Sequence, residues 1–88
     1  MSNDRLDLAQ LTEAHKHSKD HRTAIEASAA WGCFYCRKSG AVSEIENWVD
    51  DGETALCPRC GIDSVIGSAS GLPVTNGLFL GAMKRRWF

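Results

Sequence analysis

Two pairs of cysteines constrain this chain more than any other feature. Cys33 and Cys36 form one C-x2-C pair, Cys57 and Cys60 form a second, and twenty residues separate the pairs. Two cysteines three positions apart can direct both sulfurs at one ion, and two such pairs complete a tetrahedron with Zn–S bonds of about 2.3 Å. Because four thiolates close the coordination shell, the pattern predicts one structural Zn²⁺ ion with no open position for catalysis.

The sequence also permits other functions for the four cysteines. The alternatives to zinc are two disulfides, a redox-active dithiol, and an iron ion in the same four-thiolate cage. A cytoplasmic location argues against disulfides. The segment Trp31-Gly32-Cys33 resembles thioredoxin only faintly. The chain lacks the βαβ pattern of that fold, and a redox dithiol leaves the second pair unexplained.

A length of 88 residues predicts one zinc-stabilised domain over 1–88, in which residues 1–18 are the candidates for flexibility. A chain this short buries little surface, so a metal ion commonly supplements its core. The formal net charge is −1. Zinc adds two positive charges and displaces four thiol protons, so the loaded protein would carry about −3. That balance gives no bulk attraction for nucleic acid or acidic lipid.

The hydropathy pattern predicts a cytoplasmic protein. Asp4, Arg5 and Asp7 stand where a secretory signal would need an apolar run. The longest uncharged stretch, 64–83, contains four glycines, three serines and a proline, which is unsuitable for a membrane span.

The pattern along the chain favours a small, zinc-ribbon-like α+β fold with N-terminal, intra-loop and C-terminal helices. A helix is expected over 19–30, capped by Ser18 and ending at Gly32, and the stretch 5–17 is also predicted to be helical. Ser43 and Glu46 form a capping box. They predict a short helix whose apolar face ends at the turn 50–52; this face comprises Ile45, Trp48 and Val49.

The remaining elements follow from local composition. Segments 54–56 and 65–66 are expected to be extended and to pair as a short hairpin. Residues 67–77 are rich in Gly, Ser and Pro and predict a loop. Thr75 is the predicted cap of a last helix that ends at the basic stretch 84–86.

Three residues are candidates for catalysis. His17 and His21 are four positions apart, one helical turn, and Asp63 follows the second cysteine pair. A histidine at the edge of an apolar stripe more commonly packs and hydrogen-bonds to a neighbour, and an aspartate in a turn commonly accepts backbone hydrogen bonds. Both interpretations stay open, with the enzyme as the less favoured one.

Five residues are candidates for binding a partner. The aromatic pair at 34–35 lies between two ligands that fix its backbone, and basic or aromatic residues occur near both cysteine pairs and in the C-terminal stretch. The candidates are Phe34, Tyr35, Arg37, Arg59 and Trp87. Arg37 and Arg59, together with Lys38 and the stretch 84–86, would form the basic patch of a nucleic-acid-binding protein.

Four segments resemble a family of small uncharacterised bacterial cytoplasmic proteins. They are HSKDHR (17–22), GCFYC (32–36), TALCPRCGIDSVI (54–66) and WF (87–88), and the third is the most specific. The shared core is C-x2-C followed by T-A-x-C-P-x-C-G-I-D-S-V-I. Arg59 stands where that family has an aromatic residue. The resemblance implies a bacterial origin, makes His21, Asp63 and Ser64 of interest, and implies no activity.

The favoured function is that of a small structural-zinc module that mediates protein–protein interaction. The alternatives are a nucleic-acid-binding zinc ribbon and an enzyme built on His17, His21 and Asp63. Phosphate-driven binding weakens steeply with salt, which separates the nucleic-acid hypothesis from the first one.

Overall fold

The computed structural model describes residues 8–88 as a set of short elements. The helices are α1 (Leu8–His15), α2 (Arg22–Glu26) and α3 (Gly77–Trp87). The strands are β1 (Ala30–Cys33), β2 (Ser39–Ala41), β3 (Trp48–Val49), β4 (Thr54–Ala55) and β5 (Val65–Gly67). Single 3₁₀ turns occupy Lys16–Ser18, Val42–Glu44 and Ser68–Ser70. This architecture confirms the predicted α+β class.

Two small antiparallel sheets carry the strands. In the first sheet the order is β2-β1-β5, so the central strand is β1, and Cys33 pairs with Val65. In the second sheet β3 pairs with β4, and Trp48 lies opposite Ala55. Each sheet therefore brings one strand to the start of a cysteine pair, since β1 ends at Cys33 and β4 ends two residues before Cys57.

The apolar residues divide into two clusters. The helix core lies where α1 and α3 pack together, and it comprises Leu11, Ala14, Phe34, Ile66, Val74, Phe79, Leu80 and Met83. The cysteine core comprises Ile25, Trp31, Cys33, Ala55, Cys57 and Val65, with Trp48 packed against it. Because neighbouring residues of an extended chain face opposite sides, Cys33 and Phe34 enter different cores. Strand β1 thus connects the cysteine cluster to the helices.

The N-terminal helical prediction is confirmed in part. Helix α1 and the 3₁₀ turn Lys16–Ser18 follow it from residue 8 onward, whereas 1–7 lie outside the described residues and flexibility over 1–18 stays a prediction. A continuous helix over 19–30 is wrong. Its only helical part is α2, because Asp20 has a positive φ of 49° and residues from Ala30 join the sheet. Ser18 caps no helix; its hydroxyl donates to the His15 carbonyl at 2.7 Å.

Two further element predictions need correction. The intra-loop helix is reduced to the 3₁₀ turn Val42–Glu44, since Trp48 and Val49 form a strand instead of a helix face. The expected hairpin between 54–56 and 65–66 is also wrong, because β4 pairs with β3 while β5 pairs with β1. The final helix is present, but Asn76 caps it in place of Thr75.

Candidate metal centre

The two cysteine pairs form turns with the same hydrogen bonds. In the first turn the Arg37 N–H donates to the Cys33 carbonyl at 2.9 Å, and the Cys33 N–H donates to Lys38 O at 2.9 Å. In the second, the Gly61 N–H donates to the Cys57 carbonyl at 2.9 Å, and the Cys57 N–H donates to Ile62 O at 3.0 Å. The two turns are therefore two copies of one structure, which we call the first and second knuckles.

A backbone N–H also points at the leading sulfur of each knuckle. Tyr35 N–H donates to Cys33 Sγ at 3.4 Å, and Arg59 N–H donates to Cys57 Sγ at 3.3 Å. Hydrogen bonds of this kind stabilise the charged thiolate form of a cysteine. Both knuckles are thus arranged to hold sulfur in the form that binds a cation.

The residue after each pair adopts a left-handed conformation, with φ of 65° at Arg37 and 80° at Gly61. Glycine takes this conformation at little cost, whereas a residue with a Cβ pays for it. This explains why the second knuckle is the more readily recognised one in the sequence. We therefore expect contacts from outside the turn to help hold the first knuckle.

The four sulfurs come together in a geometry that fits a metal ion. All four ligand atoms lie within 4.8 Å of one another. Cys33 Sγ lies 3.7 Å from Cys60 Sγ, and Cys36 Sγ lies 3.7 Å from Cys57 Sγ. A tetrahedron with bonds of about 2.3 Å has edges of about 3.8 Å, whereas a disulfide requires about 2.05 Å. The four cysteines can therefore bind one metal ion, as the spacing predicts.

Electrostatics favour a cation at this position. Burial and the nearby Cys33 thiol raise the pKa of the Cys60 thiol above its ordinary range. The Cys60 thiol consequently keeps its proton unless a positive charge compensates the thiolate. Cys33 and Cys57 are buried, whereas Cys36 and Cys60 are partly exposed, so the site opens to solvent on one side.

Ser64 is part of this site. Its side chain is 1% exposed, and its Oγ lies 3.1 Å from Cys33 Sγ. When Cys33 is a thiolate, the hydroxyl must be the donor, so Ser64 adds a second hydrogen bond to the most deeply placed ligand. The family resemblance points to this residue, whereas the cysteine spacing alone gives it no role.

Within residues 8–88, the ring nitrogens of His21 contact backbone groups. His21 Nδ1 lies 2.6 Å from the His17 carbonyl, and its Nε2 accepts the Ala55 N–H at 2.9 Å. Both ring nitrogens are therefore engaged, and burial lowers the pKa of His21. Asp63 is exposed, and among residues 8–88 no hydrogen bond or ion pair joins it to His17 or His21.

The partner-binding candidates occupy different environments. Phe34 is 1% exposed and belongs to the helix core, so its ring is not available at the surface. Tyr35 is exposed at 39%. Arg59 forms an ion pair with Glu44 at 2.9 Å. Trp87 Nε1 donates to the Leu11 carbonyl at 3.4 Å and fastens α3 to α1.

The sequence pattern assigns no role to His15, which lies beside Trp87 and Phe34 in the structure. The His15 ring lies 4.0 Å from the Trp87 ring and 5.9 Å from the Phe34 ring, measured between centroids. Burial lowers the pKa of His15. Its position one turn after Leu11 on α1 was the available signal, because residues four apart share a helix face.

The fold and the site together define a small α+β module with a four-cysteine cluster able to bind a metal ion. No protein-family model matches the chain, and no curated protein and no solved structure is significantly similar to it. Within residues 8–88, none of the helices combines the length and the apolar character needed to cross a membrane.

Proposed function

We propose that this chain is a structural-zinc module that mediates protein–protein interaction in the bacterial cytoplasm. The observation that carries the proposal is the set of four sulfurs within 4.8 Å of one another, supplied by two knuckles of identical hydrogen bonding. A closed shell of four thiolates leaves no position for a substrate, so the ion acts on the fold.

Zinc is the favoured ion because of the ligand type and the small size of the fold. Four thiolates select zinc or iron among the metals available in cells. Zinc has no redox chemistry and accepts tetrahedral thiolate sites in small structural domains. The ligands Cys33 and Cys57 belong to the cysteine core, so the metal would organise the apolar packing around it.

The interaction role is supported by an exposed aromatic residue at the metal site. Tyr35 lies between Cys33 and Cys36 and is 39% exposed. Its backbone is fixed by ligands on either side and by the hydrogen bond to Cys33 Sγ. A rigid aromatic side chain loses little conformational entropy when a partner covers it, which is the usual property of a binding anchor.

Nucleic-acid binding is the second candidate, and exposed cations near Tyr35 favour it. Lys84 Nζ lies 5.3 Å from the centre of the Tyr35 ring. Arg59, however, is paired with Glu44, which reduces the predicted basic patch. The enzyme hypothesis has less support, because both nitrogens of His21 are engaged in backbone hydrogen bonds.

Metal analysis tests the proposal directly. Protein purified without added metal should contain close to one zinc per chain, and X-ray absorption should show four sulfur neighbours at about 2.3 Å. Iron in place of zinc, nitrogen in the first shell, or two disulfides would contradict the zinc assignment. Zinc content does not depend on the partner, so it tests the metal part alone.

A further inference from the structure

One face of helix α3 lies against the first knuckle. Gly77, Gly81 and Lys84 are spaced at i, i+4 and i+7, so they share a helix face that leads to Phe88. Arg37 lies on this face. A Cβ added at Gly81 would come within 3.0 Å of the Arg37 guanidinium, and Arg37 Nη2 donates to Gly77 O at 3.4 Å. Gly81 thus lets the helix lie close to Arg37, the residue of the first knuckle whose backbone is left-handed.

Two exposed aromatic rings meet where this face ends. Among the described residues, the large hydrophobic side chains with substantial exposure are Tyr35, Val49, Leu78 and Phe88. Tyr35 and Phe88 are in contact, with ring centroids 4.8 Å apart and an edge-to-face angle of 72°. We call the patch formed by Tyr35, Arg37, Lys84 and Phe88 the knuckle–helix surface.

The cations of this surface are available to a ligand. Lys84 lies over the Tyr35 ring, and the Arg37 guanidinium uses a single long hydrogen bond to Gly77 O. Neither forms an ion pair with a carboxylate of residues 8–88. A guanidinium has five N–H donors, so Arg37 retains donors that match the two oxygens of a carboxylate. Apolar rings and unpaired cations are therefore adjacent.

We infer that the knuckle–helix surface binds a short acidic segment of a partner protein, in which Asp or Glu residues flank an apolar side chain. This inference rests on the proposed interaction function and names the chemistry of its partner. The apolar side chain would cover Tyr35 and Phe88, and the carboxylates would pair with Lys84 and Arg37. Aromatic anchors supply most of the affinity in such contacts, and the charges supply specificity.

The overall negative charge disfavours nucleic acid more strongly than it disfavours a short acidic peptide. The chain has a formal charge of −1, and zinc bound by four thiolates makes it about −3. A polynucleotide would extend beyond this patch across a negatively charged molecule. Nucleic-acid affinity depends on neutralising several phosphates, whereas a short segment needs only the cations next to the two rings.

The test uses zinc-loaded protein and a library of random 12-residue peptides displayed on phage. Enriched peptides are synthesised with a fluorophore, and their affinity is measured by fluorescence anisotropy at matched salt. Twelve-residue oligodeoxythymidylate serves as the nucleic-acid probe. Tyr35→Ser and Lys84→Glu alter the surface. Val49→Ser is the matched control for the tyrosine, with 38% exposure against 39%, and Lys16→Glu, at an exposed lysine of the 3₁₀ turn Lys16–Ser18, is the control for charge.

The expected result is enrichment of peptides that combine Asp or Glu with an apolar residue. Tyr35→Ser and Lys84→Glu should each weaken their binding about tenfold or more, while Val49→Ser and Lys16→Glu change it less than about twofold. Enrichment of uncharged or basic peptides, no enrichment, or insensitivity to both surface variants would overturn the inference. Tighter binding of the oligonucleotide would also overturn it. Zinc content of each variant shows separately whether the metal proposal holds.

Discussion

The imidazole of His21 is held by two backbone groups from different parts of the chain. The Ala55 N–H donates to Nε2, so Nε2 carries no proton and the neutral ring must donate from Nδ1 to the His17 carbonyl. The backbone N–H of His21 donates to Glu53 O at 2.7 Å. This residue therefore connects the segment after α1 to strand β4, next to the second knuckle. Protonation of the ring would break the bond to Ala55.

His21 should make stability depend on pH. Burial lowers its pKa below the ordinary value of about 6.5. The unfolded chain therefore takes up the proton at higher pH than the folded one. The contribution of His21 to the free energy of unfolding is full above pH 6.5. It is lost as the pH falls through 6.5 toward the pKa of the folded state, with a slope of at most about 1.4 kcal/mol per pH unit.

Denaturant unfolding between pH 7.5 and 5.5 measures this contribution. His21→Gln should flatten the pH dependence relative to the wild type. Acid also protonates metal-bound thiolates, but that effect is common to both proteins and cancels in the comparison. Equal slopes for the wild type and His21→Gln would show that His21 is not held neutral by its contacts.

Ser64 should slow the loss of metal without determining whether metal binds. Ser64→Ala removes the hydroxyl that lies 3.1 Å from Cys33 Sγ. Removing a hydrogen bond to a ligand typically costs 10- to 100-fold in metal affinity, so zinc transfer to a chelator should be about 10-fold faster. Ser18→Ala is the control, because Ser18 is also buried but bonds to the His15 carbonyl. Equal transfer rates for the two variants would remove Ser64 from the metal site.

At the scale of elements, the short β3–β4 hairpin depends on its turn and on one buried hydroxyl. Asp50, Asp51 and Gly52 all have positive φ. Thr54 is fully buried; its hydroxyl donates to Asp50 Oδ2 and accepts the Asp20 N–H, each at 2.9 Å. These contacts fix both the hairpin turn and the chain that precedes α2. The ladder between β3 and β4 has two residue pairs, which are too few to stabilise the hairpin by themselves.

The start of α3 provides a test of which residue caps the helix. Asn76 Oδ1 accepts the N–H groups of Leu78 and Phe79 at 2.7 and 3.3 Å. Asn76→Ala should lower the free energy of unfolding by about 1 kcal/mol, because two N–H groups lose their acceptor. Thr75→Ala should change it by less than about 0.5 kcal/mol, since Thr75 is an exposed residue outside the helix. Chemical denaturation compares the two variants, and an equal loss would contradict the assignment of the cap.

The metal site was more predictable from sequence than these elements, for a physical reason. A C-x2-C pair fixes sulfur positions through a local turn, so its spacing carries the information. The extent of α2 is decided instead by contacts over long distances in sequence, such as Asp20 N–H to Thr54. Trp48 and Val49 likewise form a strand because β4 lies beside them. Local capping signals, such as Ser43 with Glu46, carry no information about these partners that are distant in sequence.

At the scale of the whole molecule, the cysteine core has a different origin of stability from the helix core. Two of its six buried residues, Cys33 and Cys57, belong to the four-cysteine cluster that can bind a metal ion. The helix core contains no cysteine and is closed by α1, α3 and Phe34. Strand β1 carries residues of the cysteine core and leads directly into Phe34. Loss of order around the cysteines should therefore extend to the helices.

Metal removal should unfold the described structure as a unit. Structural zinc in small modules contributes about 10–16 kcal/mol, more than the total stability of many domains. A strong chelator should abolish the near-ultraviolet circular dichroism of Trp31 and Trp48, which lie in or against the cysteine core. Cys57→Ser should behave in the same way, and excess zinc should restore only the chelated wild type. A cooperative thermal transition that survives metal removal would contradict this expectation.

The position of Tyr35 has a thermodynamic consequence. Its N–H bonds to Cys33 Sγ and its ring forms part of the surface proposed to bind a partner. If zinc orders the turn that the partner recognises, then the partner must favour the zinc-bound state by the same factor, because coupling between two binding equilibria is reciprocal. A bound partner would therefore reduce the rate at which zinc is lost to competing chelators. The amount of zinc retained in a cell would then depend on how much partner is present.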